Sequence, residues 1–332
     1  MTVLRYLLLP FAALYAAVTD VRNWLFDHGR LAVTHPGMPT VGIGNLTVGG
    51  TGKTPHTEFL AAHYLEKGRS VAILSRGYGR RTRGFRYADG NSTADDVGDE
   101  PLQMFRRFRG KVCVAVGERR APAITRLGNE RKPDVVVLDD IFQHRYVKPR
   151  ITILLTDYAR PYYADFVLPA GRLRERRKGA RRADIIIVTK CPNDLSQQEA
   201  RDIVGRLQPD EGQRVFFTTM TYAPLPGDVP QKALLITGIA RPEPLENHLR
   251  GMGIALTSHL NFPDHHRFSP ADVRRISVAA ADVPAIITTA KDFQRLRHAG
   301  LPPQVMEKII VQDITISVLF AEEAALKALL PT

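Results

Sequence analysis

The sequence predicts an α/β protein: a doubly wound, mainly parallel sheet, a second, smaller α/β domain, and an apolar helix at the N-terminus. Three observations predict it. Short apolar runs without polar alternation recur along the chain, helical stretches separate them, and a glycine cluster links the first run to the first helix. Strands buried on both faces read as such continuous runs. Their alternation with helices is how doubly wound sheets are built. A length of 332 residues suits about two domains.

The N-terminal stretch is apolar, and Tyr6 to Thr19 carries no charge. That is shorter than the roughly 20 residues a spanning helix needs. Apolar character resumes at Val21, Trp24, Leu25 and Phe26, on one helical face, with Arg5 and Arg22 flanking. Residues 1–28 are therefore expected to be a helix lying at a membrane interface. A helix packed on the core and a signal peptide, with Tyr15-Ala16-Ala17 near a cleavage-like site, are the alternatives.

Strands are expected at Thr40 to Gly44, Ser70 to Leu74, Lys111 to Val116, Asp134 to Leu138, Ile151 to Leu155 and Asp184 to Thr189. Helices are expected at His56 to Lys67 and Glu100 to Phe108. These elements belong to a nucleotide-binding domain of residues 29–222. Proline and glycine cluster in Tyr222 to Pro230, a boundary signal. The smaller α/β domain, residues 225–303, then takes strands at Ala233 to Ile236, Ile254 to His259 and Ala285 to Thr288. Its helices fall at Pro242 to Met252 and Pro270 to Ala281. A strand-like run, Lys308 to Phe320, and a helix, Ala321 to Leu330, are placed to return to the first domain.

The glycine cluster, VGIGNLTVGGTGKT (41–54), ends as a phosphate-binding P-loop ends, with Gly52-Lys53-Thr54. Its position between strand and helix is the context that motif requires. Gly49, Gly50, Thr51 and Gly52 can turn backbone N–H groups toward phosphates, Lys53 can reach the β and γ phosphates, and Thr54 can offer its hydroxyl to Mg²⁺. Thr47 stands where the first glycine of the signature belongs. A phosphate loop needs a carboxylate at a second strand end, and Asp139 and Asp140 close the run DVVVLDD. An exposed strand end would also carry aspartates. Thr189-Lys190 sits where related folds read the base, but Pro192 replaces the aspartate that guanine reading requires, so ATP is the simpler nucleotide.

Composition narrows the function. The only cysteines, Cys113 and Cys191, allow no disulfide framework and no zinc spacing. A net charge of +12 points to an anionic partner. The run RLRERRKGARR (172–182) holds much of that charge and reads as a solvated face or loop. Aromatic and basic residues do not interleave as in nucleic-acid stacking surfaces, so no nucleic-acid partner is expected.

Several segments together resemble one family: GNLTVGGTGKTP (44–55), SRGYGR (75–80), VGDEP (97–101), LDDIFQH (138–144), LPAGRLRE (168–175), TKCP (189–192), TGIARP (237–242), FPDHHRFS (262–269) and TAKD (289–292). In order and spacing they are similar to the tetraacyldisaccharide 4'-kinases, the lipid A 4'-kinases of Gram-negative bacteria. The resemblance implies transfer of the γ-phosphoryl of ATP, with Mg²⁺, to the 4'-hydroxyl of tetraacyldisaccharide 1-phosphate. It implies a peripheral enzyme on the cytoplasmic face of the inner membrane, meeting membrane surface and lipid substrate through the N-terminal helix.

By the same resemblance Lys53 and Thr54 bind phosphates and Mg²⁺. Asp139 is the magnesium carboxylate, with Asp140 beside it and Glu100 at the metal or orienting Asp99. Asp99 is the base that takes the hydroxyl proton, paired with His265, or else His266. From the residues alone, Asp99 would be a helix N-cap and His265 a loop histidine. Arg172 or Arg174 stands near the transferring phosphoryl group, Arg174 being the counterpart of the motif arginine. Arg76 and Arg80 are placed to bind the sugar phosphate, or form a solvated turn. The sequence departs from the family's DDGLQH at Ile141 and Phe142. The competing function is an ATPase or GTPase switch with no lipid acceptor.

Overall fold

The computed structural model describes residues 7–239, 241–263 and 266–332. Helix α1 (Leu9–Asp27) precedes β1 (Thr40–Asn45), which delivers the chain to α2 (Lys53–Glu66). Then come β2 (Val71–Ser75), β3 (Arg86–Tyr87), α3 (Ala94–Val97), α4 (Asp99–Arg107), β4 (Cys113–Val116), α5 (Arg120–Glu130), β5 (Val135–Leu138), β6 (Ile151–Asp157), β7 (Ile185–Thr189), α6 (Gln197–Leu207) and β8 (Arg214–Tyr222). The remainder is β9 (Lys232–Thr237), α7 (Glu243–Gly251), β10 (Ala255–Asn261), α8 (Pro270–Ala279), β11 (Ala285–Thr289), α9 (Ala290–Leu296), α10 (Pro303–Met306), β12 (Ile309–Gln312), β13 (Ile314–Val318) and α11 (Glu323–Ala328).

Nine strands form one sheet in the order β13-β8-β7-β6-β1-β5-β2-β4-β3. Every pair from β8 to β4 is parallel, and only β3 against β4 is antiparallel among the registers described. The apolar runs are strands because both faces are covered. Ile73 packs into one core with Val41, Ile43 and Val137, while its neighbours Ala72 and Leu74 join Val136 and Leu138 in another. Strand β1 has β5 on one side and β6 on the other, so the connections diverge there. Open α/β sheets bind ligands at this switch point, beyond the carboxyl ends of the strands.

The chain divides into two compact units. The first runs to Met220 and takes back Ile316–Thr332; the second is Thr221–Thr315. The second holds a parallel four-stranded sheet, β10-β9-β11-β12, with separate cores on its two faces. The single strand-like run expected over 308–320 is two strands serving different sheets: β12 pairs with β11, and β13 edges the large sheet.

Helix α1 is amphipathic in an unusual direction. Ala12, Ala16, Asn23 and Phe26 are buried, while Phe11, Leu14, Val18, Val21 and Trp24 are exposed. Its inward face is held by polar bonds: Asp20 meets Arg176 and Lys178 at 2.8 and 3.0 Å, and Arg145 meets Asp27 at 2.5 Å. Among the described residues no helix is long and apolar enough to cross a membrane.

Candidate active site

The glycine loop connects β1 to α2 and is braced from three sides. Gly52 caps α2 with φ +84°, and a Cβ there would lie 2.7 Å from Met220 Cε, so the position requires glycine. The Asn45 side-chain amide donates to Thr51 Oγ1 at 2.8 Å. Lys190 Nζ donates to the Gly50 carbonyl and pairs with Asp157 at 2.8 Å, while Thr189 Oγ1 donates to the Thr51 carbonyl at 3.0 Å. Thr189-Lys190 thus supports the loop.

Thr47 explains itself in this setting. The loop's first half is not a tight turn but an antiparallel bridge, Thr47 opposite Leu173. Val48 N–H donates to the Arg172 carbonyl at 2.8 Å, and Arg174 N–H to the Leu46 carbonyl at 2.7 Å. An extended residue needs no glycine.

His56, one turn into α2, is a support that the sequence reading missed. Its Nδ1 lies 2.7 Å from the Gly52 carbonyl and its Nε2 lies 2.9 Å from Thr218 Oγ1. Burial pushes its pKa down to about 4, so the ring is neutral at pH 7. A carbonyl only accepts, which places the proton on Nδ1 and leaves Nε2 to accept from Thr218.

The carboxylates follow β5. Asp139 is buried, accepting from Ser75 Oγ at 2.9 Å and from Thr57 Oγ1 at 3.4 Å. Burial first, then the adjacent Asp140 charge, push its carboxyl up; Lys53, the Ser75 bond and Arg120 oppose them. Asp140 holds a left-handed conformation, φ +48°, and turns toward the loop. Lys53 Nζ stands 3.7 Å from Asp140 Oδ1, and Arg174 Nη1 stands 3.2 and 3.3 Å from its two oxygens. Gln143 fixes Arg174 from behind: its Oε1 accepts from Arg174 at 3.1 Å, and its amide donates to the Asn45 carbonyl at 2.8 Å. Of the two candidate arginines, Arg174 reaches the carboxylate. Arg172 holds the loop through its backbone, and its side chain is exposed.

Asp99 and Glu100 open the first turn of α4. The capping position is Gly98, φ +95°, where a Cβ would come within 2.9 Å of the Tyr78 carbonyl. This brings VGDEP against the RGYGR turn. Helix α4 is tied to the loop's own helix, because buried Glu58 of α2 meets Arg107 and Gln103, each at 3.3 Å. The Arg80 side chain is buried and pairs with Glu118 at 2.5 Å, not forming the solvated turn. Arg76 and Tyr78 remain exposed.

In the second unit, Gly238 of TGIARP and Thr289 of TAKD meet at Asp292, which is fully buried. It accepts from Gly238 N–H at 2.9 Å and Thr289 Oγ1 at 2.8 Å, and Phe262 N–H donates to the Thr237 carbonyl at 2.7 Å. His265 lies outside the described residues. His266 is engaged with Asp272 at 2.9 Å and stacked on Phe262.

Residues 4–332 match the family profile described as tetraacyldisaccharide-1-P 4'-kinase. The chain belongs to the tetraacyldisaccharide 4'-kinase family. A tetraacyldisaccharide 4'-kinase of Flavobacterium johnsoniae is 44% identical, covering 92% of this chain and 91% of that one. One from Parabacteroides distasonis is 43% identical, over 93% and 89%. The solved structure of LpxK from Aquifex aeolicus, described as in complex with ATP, is 28% identical and covers 98% of both chains with a TM-score of 0.76. The chain is therefore an enzyme, a phosphotransferase of lipid A biosynthesis whose acceptor is the 4'-hydroxyl of a tetraacylated disaccharide 1-phosphate.

Proposed function

We propose that ATP enters this site with its phosphates in the Gly49–Thr54 loop, and that Lys53 and Arg174 leave Asp140 to meet them. The observation that carries this reading is the convergence of two cations on one carboxylate at the loop's mouth, beside a second, buried carboxylate. Positive charge is already collected where phosphate charge would develop, and Asp140 holds it in place until then. Preorganised charge of this kind is the main source of phosphoryl-transfer catalysis.

The donors also suit Mg²⁺. They are hard oxygens: Asp139, Asp140 and the Thr54 hydroxyl, with Glu100 as a further carboxylate. Two adjacent carboxylates, one of them buried, are destabilised unless a cation compensates them. Magnesium needs only one or two protein carboxylates when phosphates supply the rest. Bound there, it would neutralise charge on the transferring phosphoryl group.

Asp99 is the base in this reading. At the start of α4, held beside the Arg76–Tyr78 turn, it takes the proton of the acceptor hydroxyl. Arg172 is the alternative phosphoryl contact. The outward apolar face of α1 lies on the cytoplasmic face of the inner membrane, where the acylated acceptor resides. Asp99→Asn should lower kcat by roughly 10²–10⁴-fold with the KM for ATP nearly unchanged. Steady-state kinetics at saturating lipid measure this, and a kcat equal to wild type would remove Asp99 from the chemistry.

A further inference from the structure

We infer that a basic cavity in the first unit, separate from the glycine loop, binds the phosphate ester of an acidic lipid headgroup. The cavity has a volume of about 480 Å³ and reaches the N-terminal ends of β6 and β7 at Thr152 and Asp184. The glycine loop stands at the opposite, C-terminal edge of the same sheet.

Its charged lining is cationic but for one residue: Arg145, Lys148, Arg150, Arg181 and Arg182 stand against the carboxylate of Asp184. That carboxylate already accepts from Thr152 N–H at 2.7 Å. Arg145 is paired with Asp27, Arg182 with Glu175 at 2.7 Å, and Arg181 with Asp210 at 3.5 Å. Lys148 and Arg150 have no acidic partner among the described residues. They do not sit on a loose loop: Lys148 N–H donates to the Thr34 carbonyl at 3.0 Å, and Thr34 pairs with Val147 in a parallel bridge. Two unpaired cations beside three paired guanidiniums make a site for an anion with several acceptor oxygens.

The apolar wall points to the source of that anion. Phe26 and Phe142 line the cavity, with Arg145 over the first ring at 5.0 Å and Arg182 over the second at 4.7 Å. Phe26 belongs to α1, whose outward face carries Phe11, Leu14, Val18 and Val21. The cavity therefore abuts the element that the proposed function places in the membrane interface, and the inference rests on that reading.

The full chain would be partitioned by co-sedimentation onto vesicles of phosphatidylcholine alone and onto vesicles that also contain phosphatidylglycerol. The variants are Lys148→Ala with Arg150→Ala, and, matched in charge, Lys67→Ala with Lys111→Ala. The wild type should prefer the anionic vesicles. The cavity variant should lose roughly tenfold or more of that preference, the matched variant should keep it, and both should bind neutral vesicles as the wild type does. Equal loss in both variants would reduce the effect to bulk charge and overturn the site, as would a preference retained in the cavity variant. Inorganic phosphate should reduce the preference more than sodium chloride of equal ionic strength does, because it competes for the same cations; equal reduction by both would leave only screening and overturn the site. Phosphate binding at the cavity by a wild type that shows no preference for anionic vesicles would make the site one for a free anion, and the lipid assignment falls. Failure of every form to bind neutral vesicles, with the anionic difference preserved, would sink the interfacial reading of α1 while upholding the cavity.

Discussion

His56 shows how much of this site depends on single side chains outside the glycine motif. Its neutral ring holds the Gly52 carbonyl, and Gly52 sets the direction in which the loop enters α2. Removing the ring costs the Gly52 carbonyl one of its two donors, leaving the His56 N–H at 3.2 Å, and leaves the Thr218 hydroxyl only the Val188 carbonyl at 3.4 Å, so the two lost bonds cost together about 1–3 kcal/mol. His56→Ala should therefore lower stability by that order in chemical denaturation and raise the KM for ATP more than it lowers kcat. The pH dependence follows from the same group. Its folded pKa, about 4, lies below the ordinary 6.5, so between those values the unfolded chain binds a proton that the folded chain refuses. Stability is lost as pH falls from 6.5 toward 4 and is flat above 6.5. His144, also held down to about 4 by burial and by Arg120, Arg22 and Arg76, adds a slope of the same sign. Asp139, whose carboxyl is pushed up, contributes the opposite sign. Denaturation midpoints of the wild type and His56→Gln, compared across that window, isolate the His56 share. The variant should show the shallower slope, and identical slopes would contradict the buried neutral ring.

Among the elements, α1 carries the clearest division of labour. Its inward face is committed to the segment that shapes the site: Tyr15 donates to the Arg174 carbonyl at 3.1 Å, Arg22 to the Gln143 carbonyl at 2.9 Å, and Asn23 to Glu175 at 2.7 Å. On its outward face Phe11, Leu14 and Val18 are exposed among the described residues. Replacing Phe11, Leu14 and Val18 together by serine should leave the unfolding midpoint near wild type, because these side chains are exposed. The same variant should lose at least tenfold in partition onto neutral vesicles. Unchanged partition would mean that the stripe has another purpose.

Legibility in the sequence followed element type. The central strands were readable because burial on both faces leaves uninterrupted apolar runs. Strand β8 was not, because Thr218, Thr219 and Thr221 interrupt RVFFTTMTY. Helix α6 was passed over although Ser196 and Glu199 form a capping box at its start. The run 308–320 reads as one strand because the turn at Asp313 is a single residue. In the site, Lys53, Thr54 and the two aspartates announced themselves by local motif. The His56–Thr218 and Arg174–Gln143 contacts did not, because each joins residues far apart in the chain, and no spacing rule encodes them. Burial of Arg80 against Glu118 was equally hidden, because that partner lies 38 residues away.

For the whole molecule, the parallel sheet sets the arrangement. Strand β1 lies between β5 and β6, so the glycine loop, Asp139-Asp140, Asp157 and Thr189-Lys190 all emerge at one edge. The net charge of +12 suits a substrate that is anionic at both the nucleotide and the lipid 1-phosphate. The central claim is that this edge delivers phosphate to a lipid hydroxyl rather than to water. The measurement that tests it most directly is transfer of label from γ-labelled ATP, with Mg²⁺, to tetraacyldisaccharide 1-phosphate in detergent micelles, using wild type, Lys53→Ala and Asp99→Ala. Label in the lipid with the wild type, and its loss in both variants, is the predicted result. Label released only as free phosphate, whether or not lipid is present, would contradict the account and leave a nucleotide hydrolase.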